Sequence, residues 1–503
     1  MVTVSPKNIS TPRIGRKTLL LLLPVLLLPF SSCGKQEPDW KKNAEFAAEI
    51  SLPTHFCDGM VLQHNATVRL WGYSLQAGME VHVLPSWTDQ DVMTVSGDDR
   101  RWEAEVKTGD AGGPYSLSIY CNGCTTLKDI WLGEVWLCCG QSNMEMPVNG
   151  FDGQPTPDTQ SLISKADPTV PIRMFLMDND NGAWFRQYAK EPQVRLKGRW
   201  ANNTPDNVRY ASATAYAFGS YLQQQLNTPV GLIVASMGST KIETWMSEEA
   251  ASAFPDINVQ AMKQANITDG NFFNYPCVEY NAKLAPFRCM DIAGVIWYQG
   301  ESNSSNAKAY AALQKAFVAD LRAKWGCGEF PFYYVQIAPY DYGNSSGTAA
   351  ALLREAQEDC LSTIPNSGMV CTLDLGEEHN IHPTRKIEVG KRLGDLALAK
   401  TYGRDIPALS PRFSSAEVSG SKILVSVCDE PLASESGSFT GFEVCGKDKV
   451  FKPATATLYG GRLVVQSASV SEPVAVRYCF RNYQTGSVKG ANGLPLMPFR
   501  SDR

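Results

Sequence analysis

At 503 residues the chain is too long for one hydrophobic core, since compact domains run to about 100–200 residues, so several domains are expected. Its 46 basic and 51 acidic residues leave a formal charge of -5, with no basic stripe for nucleic acid, and 10% aromatic residues speak against disorder. What remains is a folded protein whose partner is a small or carbohydrate-like molecule.

The N-terminus has the order of an export signal: basic Lys7, Arg13, Arg16 and Lys17, the apolar run Leu19 to Phe30, then small Ser31 and Ser32. Twelve apolar residues fall short of the roughly 20 that span a bilayer. Because Cys33 follows the small pair, "LLLPFSSCGKQ" resembles a bacterial lipoprotein signal: residues 1–32 as the signal peptide and Cys33 as the lipidated first residue of the mature chain. The expectation is an exported protein, held to a bacterial membrane by its lipid alone and facing the periplasm or the cell surface. A plain secretory signal with a free cysteine is the simpler alternative. Thirteen cysteines follow Cys33, an odd number, in a compartment that permits disulfides. Cys138, Cys139, Cys371, Cys428 and Cys479 sit in apolar runs, as small buried hydrophobes do. Cys121 and Cys124 are the one suggestive pair, as a local disulfide or as packing; a zinc half-site there lacks a second pair.

Residues 33–48 read as a linker. From 49 to 129, short alternating runs ("TVRLWG", "MEVHVL", "RWEAEV", "YSLSIY") between Gly, Asp and Ser clusters indicate an N-terminal β domain. From 130 to 404 the rhythm changes to α/β. The strand-like runs "EVWLCC", "VGLIVAS", "AGVIWYQ", "FYYVQIA" and "GMVCTLDL" alternate with helical stretches at 211–226, 307–325, 349–363 and 384–401, which implies a parallel sheet covered by helices. Residues 148–210, rich in Pro, Asp, Asn and Gly, break the rhythm and are expected as long loops or an insertion. From 405 to 503, "KILVSV", "ATATLYGGRLVVQS" and "AVRYCF" indicate a C-terminal β domain.

In open α/β sheets ligands bind beyond the carboxyl ends of the strands. Those positions hold Gly140-Gln141-Ser142-Asn143, then Gly238-Ser239-Thr240, then Gln299-Gly300-Glu301-Ser302-Asn303, and finally Glu377-Glu378-His379-Asn380-Ile381-His382-Pro383. A serine nucleophile needs a base within hydrogen-bond reach. Of five histidines, His55, His64 and His82 lie in the N-terminal β domain; His379 and His382 remain, and Pro383, suited to a first helical turn, favours His382. Each element has a bland alternative. Ser142 could cap a helix with Glu145 as capping-box partner, Glu301 could be a solvated loop acid, and the two histidines could bind metal with Glu377 or Glu378, although no third ligand cluster is evident.

The blocks "GQSNMEMP", "GLIVASMGSTKIETWMS", "VIWYQGESN" and "IHPTRKIEVGKRL" resemble those of the sialate O-acetylesterases, a carbohydrate-esterase group of the SGNH hydrolases. The likeness runs from "MVLQHNATVRLWGY" to "GLPLMPFRSD". Neither cofactor nor metal is expected, since a serine supplies the nucleophile and no ligand set of adequate spacing appears; the likeness implies an SGNH-hydrolase-like three-layer α/β domain between two β domains. It implies that Ser142 is the nucleophile and His382 the base, in an enzyme that removes O-acetyl groups from sialic acids through an acetyl-serine intermediate. Expected oxyanion donors are the N–H groups of Ser142 and of Gly238 or Ser239, with a side-chain amide of Gln299 or Asn303. Two positions depart from the family pattern. Ser239 stands where glycine is frequent, and Asn380, two residues before the histidine, where aspartate is. An amide cannot compensate imidazolium charge, so Glu301 is the expected acid, with Glu377, Glu378 or a Ser–His dyad as alternatives. The rival substrates are acetylated xylan and other hemicelluloses, and from another class the chain could be a non-catalytic glycan-binding lipoprotein.

Overall fold

The computed structural model describes residues 38–41, 43–177, 188–434 and 437–503; the leader and Cys33 lie outside them. In the N-terminal region Thr67–Ser74 pairs antiparallel with Arg101–Lys107, and Glu80–Pro85 lies between Val92–Val95 and Gly112–Tyr120. The alternation that announced these strands is their burial pattern: Val68, Leu70, Trp102, Ala104 and Val106 point inward and Arg101, Glu103 and Glu105 outward. Cys121 and Cys124 flank the turn into the next strand and are both unbonded thiols.

That next strand, β1 (Cys124–Gly140), carries the fold. Its first half pairs antiparallel with Gly112–Tyr120 and its second half runs parallel to strands of the central sheet. It continues as one strand, with a bulge at Asp129 (φ +56°), through residues 129 and 130, where a domain boundary was expected, so the two regions share a strand and not a linker. Residues Trp40–Arg503 accordingly cluster as one unit.

The remaining central strands are β2 (Ile172–Met177), β3 (Gly198–Asn202), β4 (Val230–Ser236), β5 (Gly294–Tyr298), β6 (Phe332–Val335) and β7 (Ser367–Val370). Their spatial order is β3-β2-β4-β1-β5-β6-β7, parallel except for the edge strand β3. β2 and β3 correct the reading of 148–210 as loops or an insertion: "IRMFLM", apolar but for Arg173, is a strand masked by its polar surroundings, and it extends the sheet. A short helix α1 (Ser142–Glu145) follows β1, and the longer helices are α2 (Ala213–Leu226), α3 (Ala307–Trp325), α4 (Ala349–Thr363) and α5 (Lys386–Lys400). Among the described residues no helix is long and apolar enough to cross a membrane.

Among the described residues, seven antiparallel strands between Arg412 and Arg500 form the C-terminal β region. It is latched to α4 and the loop before it: Arg500 makes a paired contact with Glu355, both bonds at 2.9 Å, and Asn482 Oδ1 accepts the Ala350 N–H at 2.9 Å. Paired guanidinium–carboxylate geometry of this kind is directional as well as attractive.

Candidate active site

The central strands end level with one another. Gly140 is the register partner of both Ser236 on β4 and Tyr298 on β5, so the three following loops emerge side by side. Gly140 has φ of +144°, and a Cβ there would lie 2.1 Å from the Tyr298 carbonyl oxygen, so only glycine fits. The chain then turns at once into α1, with Gln141 as the residue before the helix and Ser142 as its first residue. The capping-box alternative therefore fails: no side chain caps α1, and Glu145 accepts the Gly238 N–H instead, at 2.5 Å. Gln141 ties down the neighbouring loop, its Oε1 accepting from the N–H groups of Gly300 (3.1 Å) and Ser302 (3.3 Å).

Ser142 and His382 meet. His382 Nε2 is 2.9 Å from Ser142 Oγ, the reach a base needs to take a hydroxyl proton. The other ring nitrogen, Nδ1, is 2.7 Å from Oε1 of Gln154, and the Phe151 ring meets the imidazole edge-on at 5.1 Å. Burial and then the charge of Lys386 lower the pKa of His382 to about 4. His379 turns away; its exposed ring pairs with Asp341 at 3.0 Å. The two histidines thus do not converge on a common point, and among the described residues no group of three His, Cys, Asp or Glu is placed to hold a metal ion.

The expected acid lies elsewhere. Glu301 is buried and accepts from Asn143 Nδ2 at 2.6 Å, while Lys386 Nζ donates to Asn143 Oδ1. Asn143 Nδ2 also reaches the Ile381 carbonyl at 3.1 Å, so this network braces the serine and histidine loops together. Glu301 stands behind the serine loop because the β5 loop it occupies is level with α1. Burial raises its pKa, and burial lowers that of Lys386 to about 7 against the opposing pull of Glu301, Glu377 and Asp158. Asn380 does not touch the ring either. Its Oδ1 accepts the His382 N–H at 3.0 Å, and Glu377 accepts the N–H and hydroxyl of Thr384 at 2.8 and 3.0 Å, so both shape the histidine loop.

The expected oxyanion donors are also redistributed. As the first helical residue, Ser142 has an N–H without an intrahelical acceptor. Gly238 lies against it, since a Cβ there would come within 3.5 Å of Ser142 Cβ, but its N–H is held by Glu145 and must exchange that partner to serve an oxyanion. Ser239 is exposed with φ of +63°, in the left-handed region that glycine occupies at less cost. Both amide hydrogens of Gln299 are taken, by Thr240 O (3.1 Å) and Asn303 Oδ1 (2.7 Å). Asn303 gives one to Glu243 at 2.9 Å and keeps one. These buried amides stitch the β4 and β5 loops to each other.

Gln154, Phe151 and Lys386 were not singled out from the sequence. Gln154 and Phe151 carry no signal in a polar loop. Lys386 did carry one: it continues the buried face of Val389, Leu393 and Leu396 at helical spacing, where a lysine is out of place.

Against this geometry, the likeness to known proteins is specific. A family model described as carbohydrate esterase, sialic acid-specific acetylesterase, matches residues 132–399. The sialate O-acetylesterase of Rattus norvegicus is 28% identical over 516 aligned residues, covering 88% of this chain and 92% of the rat protein. The human sialate O-acetylesterase is 28% identical over 414 residues, covering 76% of this chain and 74% of its own. Among solved structures, a carbohydrate acetylesterase from Xanthomonas citri is 30% identical, with a TM-score of 0.79 over 90% of this chain and 99% of that one. With a family match across more than half its length and the serine and histidine blocks joined at one sheet edge, the chain belongs to the sialic acid-specific acetylesterase family of carbohydrate esterases and is an esterase of sialate O-acetylesterase type.

Proposed function

We propose that this carbohydrate O-acetylesterase acts on O-acetylated sialic acids through an acetyl-serine intermediate, and that it does so outside the cytoplasm, anchored by a lipid on Cys33. The observation that carries the chemistry is the 2.9 Å contact between Ser142 Oγ and His382 Nε2. Oγ attacks the acetyl carbonyl carbon while its proton passes to Nε2. Collapse of the tetrahedral intermediate breaks the bond to the sugar oxygen, which takes that proton and leaves. Water, deprotonated by the same nitrogen, then attacks the acetyl-serine, and acetate departs as Ser142 recovers its proton. His382 is suited to the first step because its depressed pKa keeps it neutral over the physiological range.

The sialic acid assignment is supported by the description of the family model and the names of the mammalian relatives. Its test is acetate release by the purified protein from O-acetylated sialic acids and, in parallel, from acetylated xylan. Turnover confined to xylan would transfer the enzyme to hemicellulose, and a protein inactive on both and on a chromogenic acetyl ester would be a glycan binder.

The anchor is tested separately. Cys33→Ser is expected to move the mature protein from the membrane fraction to the soluble exported fraction, because one acyl chain alone holds only marginally and the several chains of a bacterial lipoprotein are needed for stable retention. Unchanged fractionation would refute the anchor and leave the enzymatic reading intact.

A further inference from the structure

We infer that Gln154 is the positioning residue of His382, taking the place usually held by a triad carboxylate, and that the segment 148–159 is a built clamp that brings it there. The inference rests on the Ser142–His382 reading of the site and specifies what stands behind the histidine. Among the described residues the ring has two hydrogen-bond partners: Ser142 Oγ at Nε2 (2.9 Å) and Gln154 Oε1 at Nδ1 (2.7 Å). An Nε2 that is to accept the serine proton must be bare, which places the ring hydrogen on Nδ1, and an amide oxygen is an acceptor for it. The neutral carbonyl therefore selects the productive tautomer without supplying charge. Phe151, meeting the ring edge-on at 5.1 Å, restricts its rotation from another side.

The segment is shaped for this contact. Gly150 has φ of +82°, and a Cβ on it would stand 2.3 Å from the Gln154 carbonyl oxygen, so the turn closes only on glycine. Gln154 N–H donates to Phe151 O at 2.9 Å, closing the tip. Beyond it, the buried Thr156 hydroxyl donates to Val148 O at 2.7 Å and the Thr159 hydroxyl to the same carbonyl, tying the two legs together. Pro155 and Pro157 stiffen the returning leg. A solvent-exposed tip held this firmly is positioned by its legs, not by its own burial.

Among the described residues, the charged groups around the ring leave it without a carboxylate partner. Lys386, from α5, stands close enough to disfavour imidazolium. Glu301, from the β5 loop, is bonded to Asn143; Glu377, from the histidine loop, to Thr384 and Asn380; and Asp158, from the clamp, acts on Lys386.

The test uses the full exported chain with two substrates, a chromogenic acetyl ester and an O-acetylated sugar. Gln154→Met, similar in size but without the acceptor, is expected to lower kcat by about 10–100-fold on both, with KM changed little, since the lost bond strengthens as charge develops on the ring. Gln154→Glu is expected to retain most of kcat and to move the acidic limb of kcat/KM upward by about one pH unit or more, because a carboxylate at Nδ1 favours the protonated ring. Gln154→Met with wild-type kcat, a loss seen only in KM for the sugar, or an acidic limb unmoved in Gln154→Glu would each overturn the inference while the wild-type enzyme remains active. A wild-type enzyme inactive on the acetyl ester would overturn the Ser142–His382 reading along with it.

Discussion

Ser142→Ala and His382→Ala are each expected to lower kcat by on the order of 10⁴–10⁶-fold, and the double replacement to be hardly worse than either alone. The reason is the single proton path between them. Without Oγ there is nothing for Nε2 to activate, and without the imidazole the hydroxyl remains a poor nucleophile at neutral pH. Residual turnover would come from substrate positioning and the remaining oxyanion donors. Acetate release under saturating acetyl ester measures the effect, and mass spectrometry of a rapidly quenched wild-type reaction should find one acetyl group on Ser142. Losses that multiply in the double variant would mean that the two residues act in separate steps. In the wild type, kcat/KM should stay level as pH falls from 7 to about 5 and decline toward pH 4 as His382 becomes protonated, since burial and Lys386 hold its pKa near 4.

Lys386→Met is expected to destabilise the protein by roughly 3–5 kcal/mol, the usual cost of leaving a buried charge uncompensated, here that of Glu301, which Asn143 links to Lys386. Lys386 is fully buried, donates to Asn143 and lies 5.6 Å over the Tyr298 ring; among the described residues it is the cation that acts on Glu301, whose Oε2 has no hydrogen bond from them. Turnover should fall too, because the same network joins Asn143, next to Ser142, to the Ile381 carbonyl, next to His382. Glu301→Gln alone is milder. A glutamine can still accept from Asn143, and Lys386, whose pKa is already lowered to about 7, can shed its proton; kcat within about tenfold of wild type is expected. Glu301→Gln in the Lys386→Met background should recover much of the lost stability, as removing both charges is often close to neutral. The thermal midpoints of the four proteins measure this. A loss of 10²–10⁴ in kcat for Glu301→Gln would instead return Glu301 to the role of triad acid.

How far the site was legible depended on how local each cause was. β1 and β4 to β7 and the four long helices were visible because buried parallel strands are runs of Val, Ile, Leu and aromatic residues, and because amphipathic periodicity belongs to one helix at a time. α3 and α4 span the residues their pattern indicated, and α2 starts two residues late, at Ala213, since Ser212 is its N-cap, accepting from the Ala215 N–H. β2 was missed because its polar neighbours, and Arg173 within it, outweighed five apolar residues. Ser142 was legible because a glycine-bounded polar turn directly after a buried strand has few structural uses.

By itself the sequence determined the class of the fold and the family, and it singled out the serine and the histidine that the structure brings together, because strand, helix and strand-end motifs are each written in contiguous residues. Tertiary structure alone decided the partners of those two residues. Ser142 and His382 are 240 positions apart and Gln154 and His382 are 228 apart, so their contacts depend on strand register and on how one loop docks over another. Glu301 had the right chemistry for an acid and the wrong address. Its loop is level with α1, where Asn143 and Lys386 claim it, while the clamp at 148–159 delivers a neutral amide to the one ring nitrogen that was open. A hydrogen bond forms only within a few tenths of an ångström of its proper length, and that placement is set by the packed sheet, not by residue type.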